Sequence, residues 1–481
     1  MLRRLIVDSV LYTLATAIPG LFGLALLPVY TRFLHTSDYG LIDLIGLTSS
    51  IVTTIATLEV SQGLARHLPE ALGPEDRRKL SSTAFWFTGV TMLVATGLLA
   101  LAAPRLAPFL LQKTNSAGLL RLGCAAALMS ALQAVALRHL RGSLRPKPYL
   151  LATIATVAVT TLVTLLLLTR YQLGPAALFL GYGAGATAGL AVGWRLARAE
   201  IGWTWDVIAM RRMLKFSLPM VASTLGIIAA GPAGRWIIAH SDSLDAAGLL
   251  GIATRVASVI GLAASGLQQS LGPLIYTSHR QERTPANLAM SFSLFAACGL
   301  TLCAGLSLFS PEIVHVIAAP RFHGAAALIG PVSAAMLIMA TTMFAPGLEI
   351  ECKTSWIAGT GLTSGAVNLL LCWLWVPRFG AMGAASAMCC SATLQMLVIF
   401  SLSQRNYRVP HRWGRLVAAT LLTALVTRSG PGAMIVGLDL DHWAARGALL
   451  GGLAVACWLL LVQPFVQTSI RSHFLHGNSA H

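Results

Sequence analysis

The sequence predicts an all-α protein that crosses a membrane many times. Apolar residues make up 56% of 481 residues, charged residues only 11%, and the mean hydropathy is +0.73. A soluble domain carries about 25% charged residues, so most of this chain sits where charge is unwelcome. Segments free of Asp, Glu, Lys and Arg recur at 9–31, 80–104, 148–169, 171–194, 216–234, 256–279, 284–311, 322–348, 354–377, 379–404 and 447–470. A membrane-spanning helix needs roughly 20 mainly apolar residues. With the charge-punctuated segments 41–65, 118–138 and 414–436, the count comes to about fourteen helices. In hydrocarbon every backbone polar group needs an internal partner, so the spans are helices or a closed barrel. These runs are too long and too continuous for barrel strands of alternating polarity.

At the N-terminus Arg3 and Arg4 precede an apolar run, and Ala15-Thr16-Ala17 resembles a cleavage site. Apolar sequence continues through Leu27, however, so an uncleaved first helix is expected. The formal charge of +17 would suggest nucleic acid in a soluble protein. Here the positive-inside rule absorbs it. With the N-terminus in the cytoplasm, the cytoplasmic segments hold Arg77, Arg78, Lys79, Arg138, Arg141, Arg145, Arg211, Arg212, Arg405 and Arg408, among others. The opposite face has far fewer, such as Arg105, Arg170 and Arg321. Both termini are therefore expected inside, with an even helix count and no nucleic-acid role. Eight cysteines are scattered without a Cys-x-x-Cys pattern, which argues for inert thiols rather than a zinc or redox site.

The chain repeats itself with an offset of roughly 205 residues. Leu27-Pro28 leading to Arg32 is matched by Gly231-Pro232 leading to Arg235, and Tyr39-Gly40-Leu41 by Ala247-Gly248-Leu249. Leu173-Gly174-Pro175-Ala176-Ala177 pairs with Met382-Gly383-Ala384-Ala385. Each copy holds six helices, so the copies enter the membrane in the same direction as parallel repeats. The expected organisation is an N-terminal lobe at 1–198, a cytoplasmic linker at 199–215, a second lobe at 216–405, and two extra helices with a cytoplasmic tail at 406–481. Parallel repeats of this kind commonly enclose a midplane cavity and rock against each other.

Charge inside a membrane helix marks a functional site by default. Arg32, Arg235 and Arg255 are candidates to bind an anion, because guanidinium forks match phosphate oxygens; snorkelling to headgroups is the alternative for Arg32 and Arg235. Asp43 and Glu59 are candidates for cation coupling, or for pairing with a nearby arginine. Gln62, Gln268 and Gln269 could bond sugar hydroxyls or bridge helices. Arg138, Arg141 and Arg145, with Lys147, could meet an anionic headgroup where it enters, or serve topology alone. Gly181, Gly185, Gly189 and Gly193 form a small-xxx-small packing stripe, not a dinucleotide fingerprint, since no strand precedes them. Asp439-Leu440-Asp441-His442 has paired acids but no companion domain to make a catalytic site. No metal or cofactor motif is present.

Leu26-Leu27-Pro28-Val29-Tyr30-Thr31-Arg32-Phe33-Leu34, followed by Ser37-Asp38-Tyr39-Gly40-Leu41, resembles the polysaccharide-transport (Wzx-type) branch of the multidrug/oligosaccharidyl-lipid/polysaccharide exporter superfamily. Phe216-Ser217-Leu218-Pro219, Asn368, and Pro377-Arg378-Phe379-Gly380 are similar to that branch as well, and the likeness runs over about 5–405. Two features depart from the pattern. The second repeat has Ala-Gly where the first has Tyr-Gly, and Arg235 follows its proline one residue sooner than Arg32 does.

The resemblance implies a MATE-like pair of pseudo-symmetric six-helix lobes around a V-shaped cavity. It also implies a non-enzymatic flippase in a bacterial inner membrane, moving polyprenyl-pyrophosphate-linked oligosaccharide outward for O-antigen, lipopolysaccharide or exopolysaccharide assembly. Expected partners are the lipid-linked sugar, the bilayer, and a polysaccharide polymerase with its chain-length machinery. A coupled Na+ or H+ is the cation the intramembrane acids would take. The rival readings are a cation-coupled drug exporter, a peptidoglycan-precursor flippase, and a membrane glycosyltransferase or polymerase. Drug export fits poorly with basic intramembrane charge, and the enzymes need a large outer domain that the sequence lacks.

Overall fold

A computed structural model describes residues 2–112, 116–198, 200–278, 281, 283–351, 354–428, 434–435, 438–439 and 443–463. These are helical apart from loops and one small antiparallel ladder, in which Met434 faces Asp439 and Ile435 faces Leu438. Among the described residues, eleven helices are long and apolar enough to cross a membrane, or twelve with the bent pair Leu11–Ala25 and Leu27–Phe33 counted as one span. The helix Thr354–Asn406 is two helices merged across a kink at Gly380, and Trp413–Thr427 is a shorter apolar helix. The fourteen expected from hydropathy is therefore an approximate count, against eleven or twelve spans among the described residues. Leu440, Asp441 and His442, and the side chain of Gln269, lie outside the described residues.

The chain forms two compact units, Met1–Gly251 with Gly361–Ala384, and Ile252–Thr360 with Ala385–His481. The first holds α1 (Leu2–Ala25), α2 (Leu27–Phe33), α3 (Thr36–Thr57), α4 (Val60–His67), α5 (Pro74–Leu111), α6 (Ala117–Gly142), α7 (Pro146–Thr169), α8 (Pro175–Ala197), α9 (Val207–Ala230) and α10 (Gly234–Ser241). It also takes the first turns of α11 (Leu244–Ser278). The second holds the rest of α11 with α12 (Thr284–Leu308), α13 (Ser310–Ile317), α14 (Ala326–Thr341) and α15 (Gly347–Ile350). α16 (Thr354–Asn406) is shared between the two divisions, and α17 (Trp413–Arg428) and α18 (Trp443–Cys457) complete the second unit.

Local sequence sets the helix ends. Pro74, Pro146 and Pro175 each stand in a first turn, where the missing N–H has no intrahelical partner to lose. Asp206 caps α9, its Oδ1 accepting from the Ile208 N–H at 2.7 Å and the Ala209 N–H at 2.9 Å. Those bonds, the Ala209 one first, hold the Asp206 carboxyl below the usual carboxylate range. Gly174 (φ 55°, ψ −136°) and Gly380 (φ 55°, ψ −139°) share a left-handed backbone that disfavours any side chain. Gly174 thus shares its conformation with Gly380, whereas the sequence reading paired it with Gly383.

Lipid is as apolar as leucine, so helix association depends on close packing rather than on hydrophobic exclusion. α7 and α8 show this. A Cβ on Gly181, Gly185 or Gly189 would overlap the hydroxyl of Thr164, Thr160 or Thr156 respectively, so the glycine stripe is a packing seam. Leu93, Leu98, Leu101 and Leu162 point outward and are exposed, as lipid-facing residues must be. Inside the first unit Val60, Leu64, Leu68, Leu80, Val135 and Met213 form a buried core. Inside the second, Ile260, Leu300, Cys303, Leu337, Leu453 and Leu461 do the same, so α18 is part of that unit's packing.

Candidate functional site

The candidate site lies in the first unit, at the end where α3 and α11 begin and α10 finishes. α9 stops at Ala230, and Gly231-Pro232-Ala233 form a turn before α10. The Ala233 N–H donates to the Ile228 carbonyl at 2.9 Å instead of continuing the α-helical ladder. That shift leaves the Ala229 carbonyl without its helical donor. Asn368, fully buried on α16, supplies one from its side-chain amide at 2.9 Å. The break is thus satisfied internally, as an irregular turn at membrane depth must be. It also turns Arg235 toward α3, where its guanidinium pairs with the Asp43 carboxylate at 3.2 Å.

The Asp43 and Arg235 side chains are only 8% and 15% exposed. Two charges so far from water hold each other through Coulomb attraction that is little screened. Each compensates a partner whose desolvation alone would be prohibitive. Glycine lets the two helices come close enough. A Cβ at Gly40 on α3 would strike the Leu244 carbonyl oxygen, and one at Gly248 on α11 would strike that of Thr36. A Cβ at Gly251 would overlap an Asp43 carboxylate oxygen. The Thr36 hydroxyl donates to Asp245 across the same crossing. These contacts join α3 to the first turns of α11.

α10 makes a further contact. The His240 ring lies with Nδ1 2.8 Å from the Trp236 carbonyl oxygen and Nε2 2.7 Å from the Phe109 carbonyl oxygen in the last turn of α5. The Trp236 ring stacks over it at 4.0 Å.

The other residues singled out from sequence are distributed as follows. Arg32 is exposed on α2. Glu59 and Gln62 are half-buried at the break between α3 and α4, where Leu58 (φ 49°) and Glu59 (φ 54°) are both left-handed. Two consecutive non-glycine residues in that region store strain, of order 1–3 kcal/mol each. Arg138 is half-buried within electrostatic reach of Arg141 and Glu59. Arg141 stands 5.9 Å from the centre of the Tyr12 ring. Arg145 pairs with Glu200 at 2.7 Å. Arg255 is half-buried and Gln268 exposed, both in the second unit. Among the described residues no group of three or more His, Cys, Asp or Glu side chains could hold a metal ion.

Sequence reading missed a polar network between α5, α6 and the segment after α8. The Ser81 hydroxyl is 2.7 Å from His139 Nδ1, and His139 Nε2 is 3.3 Å from Glu200. The order resembles a hydrolase triad, but Ser81 and His139 have no exposed surface to offer a substrate. Ser82 accepts from the Gly202 N–H at 2.8 Å, Thr83 from the Asp206 N–H at 2.9 Å, and the Trp86 indole donates to the Gly202 carbonyl at 2.9 Å. The network moors the start of the inter-repeat segment. Its only sequence signal was the hydroxyl run Ser81-Ser82-Thr83.

A family model described as polysaccharide biosynthesis protein matches residues 29–327. No curated protein matches the chain. Among solved structures, the chain is similar to lipid II flippase MurJ in an inward closed conformation, with a TM-score of 0.70 at 12% identity over 96% of this chain and 100% of that one. It is also similar to the inward-facing conformation of a multidrug resistance MATE family transporter of the MOP superfamily, with a TM-score of 0.66 at 13% identity over 85% of this chain and 98% of that one. The outward-facing conformation of such a transporter gives a TM-score of 0.63 at 13% identity, over 86% and 96%. The fold is of the MATE and MurJ kind.

Proposed function

The chain belongs to the polysaccharide biosynthesis protein family, and on that premise we propose that it is a flippase for polyprenyl-pyrophosphate-linked oligosaccharide. It would work by alternating access in a bacterial inner membrane with both termini cytoplasmic, passing sugar repeat units outward for surface polysaccharide assembly. The observation that carries this reading is the junction of the two repeats through Gly40, Gly248, Asp43 and Arg235. A crossing held by backbone contact and a buried ion pair would serve as the two-state element that alternating access needs. By the positive-inside topology this junction is the periplasmic end.

The substrate follows from charge. A pyrophosphate with attached sugars is anionic and bulky and cannot cross hydrocarbon unaided. Arg32 and Arg255 would attract its phosphates, joined by Arg235 when the pair with Asp43 opens, while Gln62 and Gln268 would meet sugar hydroxyls. Arg138 and Arg141 would meet the headgroup where it enters; Arg145, tied to Glu200, would do so less. The acids left for a coupled Na+ or H+ are Glu59, and Asp43 once Arg235 leaves it. Moving negative charge outward is also favoured by an inside-negative potential, by about 2.3 kcal/mol per charge per 100 mV. The likeness to a lipid-carrier flippase extends over 96% of the chain, against 85% for the drug transporter, which supports a lipid-linked cargo. A polymerase and chain-length machinery would receive the product.

The test is headgroup accessibility of a fluorescent polyprenyl-pyrophosphate oligosaccharide in proteoliposomes. Wild type should expose the headgroup to the opposite leaflet, and Arg255→Ala should slow this at least about tenfold while keeping its fold. Extrusion of an organic cation with no lipid movement would instead make this a drug exporter.

A further inference from the structure

The segment between α8 and α9 alternates in character. From Gly202 to Val207 the odd-numbered residues are Trp203, Trp205 and Val207, all exposed, with Ile208 exposed beside them. The even-numbered ones carry the ties to α5. The Gly202 N–H donates to Ser82 Oγ, the Asp206 N–H donates to Thr83 Oγ1, and the Trp86 indole donates to the Gly202 carbonyl. Ile201 is buried in the core of the first unit. Trp203 is 85% exposed even though one face of its ring stacks on Trp86, at 4.4 Å and 24°. The segment is thus fastened to α5 and turns a strip of large apolar side chains outward.

The same ties fix its depth. In α5, Arg77, Arg78 and Lys79 are followed by the charge-free run 80–104, so the stretch from Lys79 to Trp86 is where the helix passes from headgroups into hydrocarbon. Trp86 lies about 10 Å beyond Lys79 at 1.5 Å per residue. A segment that hydropathy assigns to a linker therefore runs beside the acyl boundary, the level tryptophan favours with its apolar ring and polar N–H. Cations flank the strip. Arg78 lies across Gly202, where a Cβ would stand 2.6 Å from its Nη2 and 2.7 Å from its Nε. Lys79 and Arg212 are within electrostatic reach of Asp206. Asp206 caps α9 and Glu75 holds Lys79 at 2.9 Å, while Arg78 and Arg212 are exposed.

We propose that this segment docks into the headgroup layer and binds an anionic phospholipid there. Trp203, Trp205, Val207 and Ile208 enter the acyl boundary, and the guanidinium groups of Arg78 and Arg212 hold the phosphate, whose oxygens their forks match. Charge selects the occupant. An apolar strip alone would accept any lipid or an apolar protein surface, whereas a strip set between exposed guanidinium groups favours a negatively charged headgroup. The bound lipid joins the start of α5 to the start of α9, whatever cargo the protein moves.

The test uses the full-length protein in nanodiscs of equal parts phosphatidylglycerol and phosphatidylcholine, with no transport cargo present. Lipids brominated near the headgroup quench tryptophans that lie at the interface, and Trp203→Phe with Trp205→Phe should remove a resolvable share of the quenched emission. Phosphatidylglycerol retained on release into detergent is counted against phosphatidylcholine by native mass spectrometry. That ratio should fall about fivefold with Arg78→Gln and about fivefold again when Arg212→Gln is added. Arg170→Gln, at the far end of α7, should leave it unchanged. Quenching that is the same with and without the two tryptophans would place the strip in water or against a protein and overturn the docking. A ratio indifferent to both arginines, or lowered equally by Arg170→Gln, would overturn the anionic site.

Discussion

Gly40 and Gly248 approach each other's helices reciprocally: each faces the backbone carbonyl of the residue four before the other. Gly40 meets Leu244, and Gly248 meets Thr36. The crossing of α3 and α11 is therefore reciprocal. A side chain at either glycine would have to displace a backbone carbonyl, which cannot swing aside as the end of a flexible side chain can.

Gly248→Ala should consequently push the helices apart, by a cost on the order of 1–3 kcal/mol for overpacking. Thiol labelling of a cysteine placed at this end should speed up, and lipid flipping should fall at least about tenfold. Gly23→Ala is the control, since nothing lies within 4 Å of a Cβ there. Equal behaviour of the two variants would show that the crossing is not tight.

The Asp43–Arg235 pair makes a second prediction. Removing either charge deprives the other of its partner in this pair at low exposure, a loss of up to about 3–5 kcal/mol for a buried pair. Asp43→Asn and Arg235→Gln should each lower the thermal midpoint in detergent, and the double variant should lose less than the sum. The coupling energy from that cycle should exceed about 1 kcal/mol. Strict additivity would mean that the two charges act independently.

The helix number and the glycine seam on α8 were legible because both depend on composition and spacing along one helix. A charge-free run long enough to span a bilayer, or glycine at every fourth residue, needs no knowledge of what lies opposite. Backbone angles were not legible: Gly174 shares its left-handed conformation with Gly380, whereas aligning letters paired it with Gly383. What could not be read was pairing across the repeat. Asp43 was singled out for cation coupling or for pairing with a nearby arginine, and Arg235 for binding an anion or reaching headgroups; which arginine meets Asp43 was not legible, because sequence separation hides that α10 lies against α3. His139 and His240 escaped notice for a related reason. Each stands alone in its segment, and its meaning comes from Ser81 and Glu200, or from the Phe109 carbonyl, elsewhere in the fold.

Arg446 and Glu312 give an asymmetric prediction in the second unit. Arg446 is 6% exposed and Glu312 47%, and Arg446 also donates to the Leu308 carbonyl at 3.3 Å. Glu312→Ala leaves a buried guanidinium without its counter-charge, whereas Arg446→Leu leaves a carboxylate that water can solvate. The acid's removal should therefore destabilise α18 more than the arginine's, by at least about 1 kcal/mol. Limited proteolysis near 443–463 measures this, and the reverse order would refute the burial argument.

The aromatic box around His411 links stability to pH. His411 lies between α16 and α17, outside the spans, with Phe292 at 4.8 Å, Phe400 at 5.2 Å and Trp413 at 5.4 Å. Neither ring nitrogen has a hydrogen-bond partner among the described residues. Burial alone pushes the imidazole down from 6.5 to about 4. Between those two values the unfolded chain binds the proton and the folded chain does not, so acidification favours unfolding. The stabilisation from keeping His411 neutral is complete above about pH 6.5 and disappears as pH falls toward about 4. The thermal midpoint of the second unit should drop across that window in wild type. His411→Phe keeps the box filled without a titrating group, so its midpoint should be flatter there. A variant with the wild-type slope would mean that other groups, not the boxed imidazole, carry the acid sensitivity.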